Sequence, residues 1–140
     1  MLDKRKIVSD RAAEPVGAYP HARQVGNLLF LSGIGPRERG SKTIPGVTMD
    51  SAGKVLDYDI VEEAKSVFRN LRFILEDAGS SWENIIDVTV FLTSIERDFK
   101  RFNEVYREHF GSVEPCRTTV EVNRLPTPIH VELKVIATIG

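Results

Sequence analysis

The feature that most restricts the fold is a change of hydrophobic period between residues 60 and 92. Ile60, Ala64, Val67, Phe68, Leu71, Ile74, Leu75 and Ala78 recur at steps of three and four, which puts them on one stripe of a helix. Ile86, Val88, Val90 and Leu92 then alternate with Asp87, Thr89 and Phe91, the period of a strand with two unlike faces. An apolar helix stripe needs a sheet face to cover, and the strand beside it supplies one. Asp59 with Glu62 three residues on predicts the helix start, and Gly79 its left-handed stop. A second helix is expected from Ser94, with Phe99, Phe102, Tyr106 and Phe110 as an aromatic stripe and Gly111 as its end.

Turn formers place the other elements. Val25 to Ser32 reads as a buried strand with Lys6 to Val8 as its hairpin partner, and residues 37–58 as a long loop with a short strand near its end. Arg117 to Val122 and His130 to Thr138 read as two last strands, kept apart by Leu125-Pro126-Thr127-Pro128. The expected order is β-β-α-β-α-β-β, a single α+β domain over residues 1–140 with a mixed sheet and both helices on one face. The other face must meet solvent or another subunit. Alternation puts Arg117, Thr119 and Glu121 on one side of their strand and His130, Glu132 and Lys134 on one side of the last. If those strands are neighbours, a cation and a carboxylate converge.

Charge and cysteine usage narrow the function. Nineteen Lys plus Arg against twenty Asp plus Glu leave a net charge of −1, without the field that holds a phosphate backbone or an anionic membrane. One cysteine excludes an intramolecular disulfide framework and a cysteine zinc site, and suits a reducing compartment. No stretch approaches the roughly 18 apolar residues of a membrane span. The expectation is a cytoplasmic, soluble protein that binds neither nucleic acid nor membrane. His21, His109 and His130 lack metal-ligand spacing, and Gly33-Ile34-Gly35-Pro36 fails both the dinucleotide and the P-loop fingerprints, so neither a metal site nor either of those nucleotide loops is expected.

Several residues carry two readings. Arg117, after Pro115-Cys116, is either a bidentate clamp for a substrate carboxylate or half of a salt bridge. Glu132, between Val131 and Leu133, is either an exposed strand glutamate or a carboxylate that desolvation tunes to move protons. Tyr19 beside Pro20 presents a phenol or anchors packing, and Asn103 caps a loop or crosses an interface. Arg37 and Arg39 are solvated or bind an anion, and Cys116 reads as packing.

Gly17-Ala18-Tyr19, Leu31-Ser32-Gly33, Asn70 with Gly79, Val88-Thr89-Val90-Phe91-Leu92, Asp98-Phe99 with Phe102-Asn103 and Tyr106, Pro115-Cys116-Arg117, Leu125-Pro126 and Val131-Glu132-Leu133 fall in one order. That order resembles the reactive-intermediate deaminase family, also called Rid or YjgF, from about residue 15 to 138. The resemblance implies a chorismate-mutase-like α+β fold, assembled as a homotrimer around a central barrel with clefts between neighbours. It implies hydrolysis of enamine or imine acids to a keto acid and ammonia, without metal or cofactor. By position, Arg117 matches the anchor of the substrate carboxylate and Glu132 the carboxylate that positions water. Tyr19, Ser32 and Asn103 match other pocket positions, with the Gly33 backbone at the carboxylate end. No residue is identified as the acid that protonates an enamine carbon.

The departures point to a branch. Ser32-Gly33-Ile34-Gly35-Pro36 stands where many members have Ser-Gly-Gln-Ile-Pro, and Arg117-Thr118-Thr119 where many have Arg-x-Cys, so Thr119 fills the thiol position. With the loop at 37–58 and the Leu125-Pro126-Thr127-Pro128 ending, the chain looks like the 2-aminomuconate deaminase branch, which forms 4-oxalocrotonate in aromatic catabolism. A dicarboxylate asks for a second cation, for which His21, Arg37 and Arg39 are candidates. The alternatives are a general 2-aminoacrylate-type enamine/imine deaminase, a ribonuclease or translation inhibitor, and a non-catalytic trimer that binds small acids.

Overall fold

The structure is a computed structural model and describes residues 4–140. Its centre is a six-stranded mixed sheet in the order β1-β2-β3-β8-β6-β7, built from β1 (Lys4–Ile7), β2 (Ala22–Val25), β3 (Leu28–Leu31), β6 (Ile85–Leu92), β7 (Cys116–Glu121) and β8 (Val131–Thr138). All neighbours are antiparallel except β6 and β7. The two helices, α1 (Ile60–Asp77) and α2 (Ile95–Phe110), pack on one face. This is the expected α+β, chorismate-mutase-like arrangement.

The period switch works as the sequence predicts. Ala64, Val67, Leu71 and Leu75 of α1 are fully buried against Val88, Val90 and Leu92 of β6 and Val131, Leu133, Val135 and Ala137 of β8. Each larger aliphatic side chain so buried contributes about 1.5–3 kcal/mol. The Asp59 carboxylate caps α1 by accepting from Val61 N–H at 2.9 Å. Glu62 does not return the capping-box bond and pairs with Lys65 at 3.8 Å. At the other end Ser80 N–H reaches Leu75 O at 2.8 Å and Gly79 N–H reaches Glu76 O at 3.0 Å, a Schellman motif that needs the positive φ of 81° at Gly79. Ser94 caps α2 through Arg97 N–H, and Phe102 and Phe110 point inward while Phe99 stays 40% exposed.

Three expectations change. Val25 to Ser32 is not one strand: Gly26-Asn27 form the turn of a β2–β3 hairpin, with Gly26 at φ 60°, and β1 pairs with β2 instead of β3. The long loop holds a separate hairpin, β4 (Val47–Met49) with β5 (Val55–Tyr58). Arg117 and Glu132 do not converge within a chain, because β6 lies between β7 and β8 and the two side chains leave the sheet on opposite faces. Arg117 shares a face with buried Val88 and lies under α2. Glu132 shares the open face with Phe91, Lys134 and Ile136.

That open face is rich in apolar groups. Phe30 (36% exposed) and Val120 (37%) stand on it, beside Phe91 and Ile136.

Candidate active site

The expected site residues fall into three groups. The first surrounds Arg117, which β7 delivers beneath α2. Its Nε donates to Thr119 Oγ1 at 2.8 Å and its Nη2 to Asn103 Oδ1 at 2.7 Å, so Asn103, Thr119 and Arg117 meet as a unit. The guanidinium lies 4.5 Å from the centre of the Tyr106 ring and 5.3 Å from that of Phe102. Burial pulls the guanidinium below its usual pKa, and Tyr106 acts the other way. No carboxylate among the described residues pairs with Arg117, and nothing there bonds to Nη1. A cavity of about 330 Å³ opens beside it, lined in part by Asn103, Tyr106, Glu114, Pro115 and Arg117. Glu114 at its rim holds φ 50°, with its N–H on Phe110 O at 2.9 Å, and so turns the chain from α2 into β7.

The second group lies where β3 ends against β8. Ile34 N–H and O bond to Leu133 O and N–H at 2.8 and 3.0 Å, which lays the Gly33 backbone against the Glu132 side chain. A Cβ on residue 33 would stand 2.5 Å from Glu132 Oε2, so this approach requires glycine. Ser32 Oγ donates to Pro20 O at 2.8 Å, and Lys134 Nζ donates to Leu31 O. Burial alone pushes the Glu132 carboxyl above its ordinary value of 4.5. No described group donates a hydrogen bond to it, which leaves it free to act on water or substrate.

The third group fastens the segment before β2. His21 is buried, its Nδ1 accepting from Ser9 N–H at 3.0 Å and its Nε2 donating to Ala13 O at 2.8 Å. Arg39 donates to Ala12 O and Ser9 O, both at 2.8 Å, and Arg37 to Glu14 O at 2.5 Å. These three residues, expected as cations for a second carboxylate, each bond to backbone: His21 through both ring nitrogens, Arg39 through Nε and Nη2, and Arg37 through Nη2 alone. His21, with both ring nitrogens engaged by backbone, offers a substrate neither one. Tyr19 is 42% exposed and accepts from Val16 N–H at 3.2 Å through its hydroxyl. With His21, Ser32, Gly33 and Arg37 it borders a cavity of about 40 Å³, room for little more than one or two waters.

Sequence reasoning missed Tyr106 as the platform under Arg117. Its hydroxyl is buried with no hydrogen-bond partner among the described residues, and burial pushes its pKa up to about 12 against the pull of Arg117. It also missed Glu63, a carboxylate on the apolar stripe of α1, where a charge stands out by position alone. His130 departs from the alternation, since its ring turns to Glu63 on the helix side. The exposed Cys116 lies on the open face. Among the described residues no three His, Cys, Asp or Glu side chains gather as a metal site, and no helix is long and apolar enough to cross a membrane.

Known proteins match this architecture across its length. A family model described as Endoribonuclease L-PSP matches residues 9–139. A RutC family protein of Pyrococcus abyssi is 37% identical over 136 residues, 97% of this chain and 98% of that protein. A 2-iminobutanoate/2-iminopropanoate deaminase of Dermatophagoides farinae is 34% identical over 140 residues, 99% of each chain. Escherichia coli TdcF, solved with bound serine, superposes with a TM-score of 0.83 at 31% identity, covering 98% of this chain and 100% of that one. With a matched model over nearly its whole length and relatives of this identity, the chain belongs to the Rid/YjgF family, to which the RutC and L-PSP names also apply.

Proposed function

We propose that the chain is a hydrolytic deaminase of small 2-imino acids and their enamine tautomers, acting in a cleft that a second copy of the chain completes. The observation that carries this reading is Arg117: desolvated and, among the described residues, bonded only to neutral acceptors and without a carboxylate of its own. An arginine so held is prepared for an anion, and a 2-imino acid presents its carboxylate next to the carbon that water must attack. Glu132 supplies the base, but it stands on the opposite sheet face. A homotrimer that buries the open faces and brings the β7 edge of one copy to the Glu132 of the next resolves this separation.

In that cleft Arg117 fixes the carboxylate. Glu132 takes a proton from water as the water oxygen bonds to C2 and passes it to the imine nitrogen, giving a carbinolamine; the carbinol hydroxyl proton then follows the same route to nitrogen as the C–N bond breaks and the C=O forms. The products are a 2-keto acid and ammonia, with Glu132 restored. Burial raises the Glu132 carboxyl toward the pH at which such a proton is exchanged efficiently. The mite relative's name supports small monocarboxylate imines, and the serine on TdcF supports a ligand with one carboxylate and one nitrogen. The narrower 2-aminomuconate expectation has less support: both ring nitrogens of His21 are engaged by backbone, and Arg37 and Arg39, which keep N–H groups free among the described residues, are not desolvated as Arg117 is.

The test supplies 2-iminopropanoate formed in place by an amino-acid oxidase, then 2-aminomuconate, then RNA, to the wild type, Arg117→Ala and Glu132→Gln. Faster pyruvate and ammonia release by the wild type alone is expected. Spontaneous-rate release from both imino substrates refutes the reading, and RNA cleavage that survives both substitutions favours an unrelated activity.

A further inference from the structure

One buried ionisable pair has no part in this chemistry. Glu63 faces the sheet from α1 and has no exposed surface. Its Oε1 accepts from the backbone N–H of His130 at 2.8 Å, and its Oε2 meets Nδ1 of the same residue at 2.7 Å. Both carboxylate oxygens are thus committed to one residue. The carbonyl of His130 in turn accepts from Thr93 N–H at 3.2 Å, so residue 130 is held through its N–H, its side chain and its C=O.

The ring is stacked as well. It stacks on Tyr58 of β5 with centroids 3.5 Å apart and planes 4° from parallel. The Arg97 guanidinium lies 3.8 Å from the Tyr58 ring centre, and the Tyr58 hydroxyl donates to the buried Asp98 at 2.8 Å. Glu63 of α1 and Tyr58 of β5 therefore converge on His130, the residue before β8 begins, and α2 holds Tyr58 from behind through Arg97 and Asp98. Glu132 lies two positions on. No hydrogen bond to a described group restrains its carboxylate, so its place over Gly33 depends on the course of the backbone that carries it.

We propose that Glu63 and His130 are positioning residues for Glu132: their two-point clamp sets the frame from which Glu132 reaches over Gly33. The effect on rate rests on the deaminase reading, whereas the effect on the placement of Glu132 does not. The donor set explains the residue types. Two N–H groups need two acceptors, which a carboxylate offers, whereas an amide at residue 63 would turn its NH2 toward one of the donors.

Three variants separate the clamp from packing. His130→Phe keeps a ring for Tyr58 but loses the Nδ1 donor. His130→Asn restores a side-chain N–H near that point, and Glu63→Gln keeps the volume while removing one acceptor. The readouts are kcat and KM for 2-iminopropanoate, and the titration of the Glu132 carboxyl carbon by NMR, assigned with Glu132→Gln. In folded His130→Phe and Glu63→Gln, kcat should fall about tenfold or more while KM moves less than about threefold, as for a displaced reacting group. The Glu132 titration should also move toward its ordinary value, and His130→Asn should recover both readouts. Folded His130→Phe with wild-type kcat and titration overturns the proposal, as does His130→Asn no better than His130→Phe. If the wild type hydrolyses no imine, the deaminase reading fails, and the titration still decides the clamp: an unmoved Glu132 in both His130→Phe and Glu63→Gln overturns it.

Discussion

Replacing Gly33 by alanine adds a single methyl group where the Glu132 carboxylate lies. Its Cβ would stand 2.5 Å from Oε2 and 2.9 Å from Cδ, whereas ordinary contact begins at 3.4 Å, so the carboxylate must retreat by about 0.9 Å. Residue 33 does not occupy the left-handed region, and the obstacle is the end of a rotatable side chain, so the fold can yield. An off-rotamer glutamate costs ~0.5–1.5 kcal/mol, a loss of no more than about 5 °C in Tm for a chain of this size. The same retreat is severe for chemistry, since a displacement of about 1 Å lowers rate ~100-fold, or ~2.7 kcal/mol of transition-state stabilisation. Steady-state kinetics with 2-iminopropanoate, beside thermal melts, should show kcat/KM down about 100-fold in a folded variant. Activity within about threefold of wild type would refute the role given to this approach, because a carboxylate that can move so far without consequence is not positioning water.

Arg117→Lys keeps a charge but loses the fork that binds Asn103 and Thr119 and the flat contact with Tyr106, so KM should rise about ten- to a hundredfold in initial-rate measurements. The raised carboxyl of Glu132 predicts two effects of pH. The folded state holds this proton more tightly than the unfolded state, so its contribution to stability is complete below 4.5 and is lost as pH rises through the raised value. Glu132→Gln should therefore gain stability over the wild type at neutral pH and lose that advantage in acid, as denaturant titrations at several pH values would show. In the wild type kcat/KM should climb as pH rises through the same titration, and Glu132→Gln should lose both the limb and the rate. Gly79→Ala meets no neighbour within 4 Å but forces alanine to φ 81°, so urea unfolding should report a loss of ~1 kcal/mol with kcat unchanged.

Local pattern made much of this molecule legible. The stripe from Ile60 to Ala78, the alternation from Ile86 to Leu92, and the residues Asp59, Gly79 and Ser94 each act through neighbours a few positions away, where sequence spacing is spatial spacing. Gly26-Asn27 is a turn-forming pair in sequence, but the four residues before it, Ala22-Arg23-Gln24-Val25, are too short and polar a run to mark β2 as a strand. Asn103, Thr119 and Arg117 meet across a gap in sequence, and His21 and Arg39 bond to the backbone of residues 9–13, neither of which spacing foretells. A histidine or arginine serving a carbonyl and one serving a substrate look alike in sequence, because the partner is chosen by the path of a distant segment.

What the sequence determined by itself was the inventory: two amphipathic helices, strands to be covered on one face, and an arginine and a glutamate whose motifs mark a family. Spacing determines which side of its own element each residue occupies. Only the tertiary structure decided strand order and facing, and with them the separation of Arg117 from Glu132 by β6 and by the thickness of the sheet. Strand order is settled by long-range pairing and by the competition of all apolar faces for one core, neither of which any local window contains.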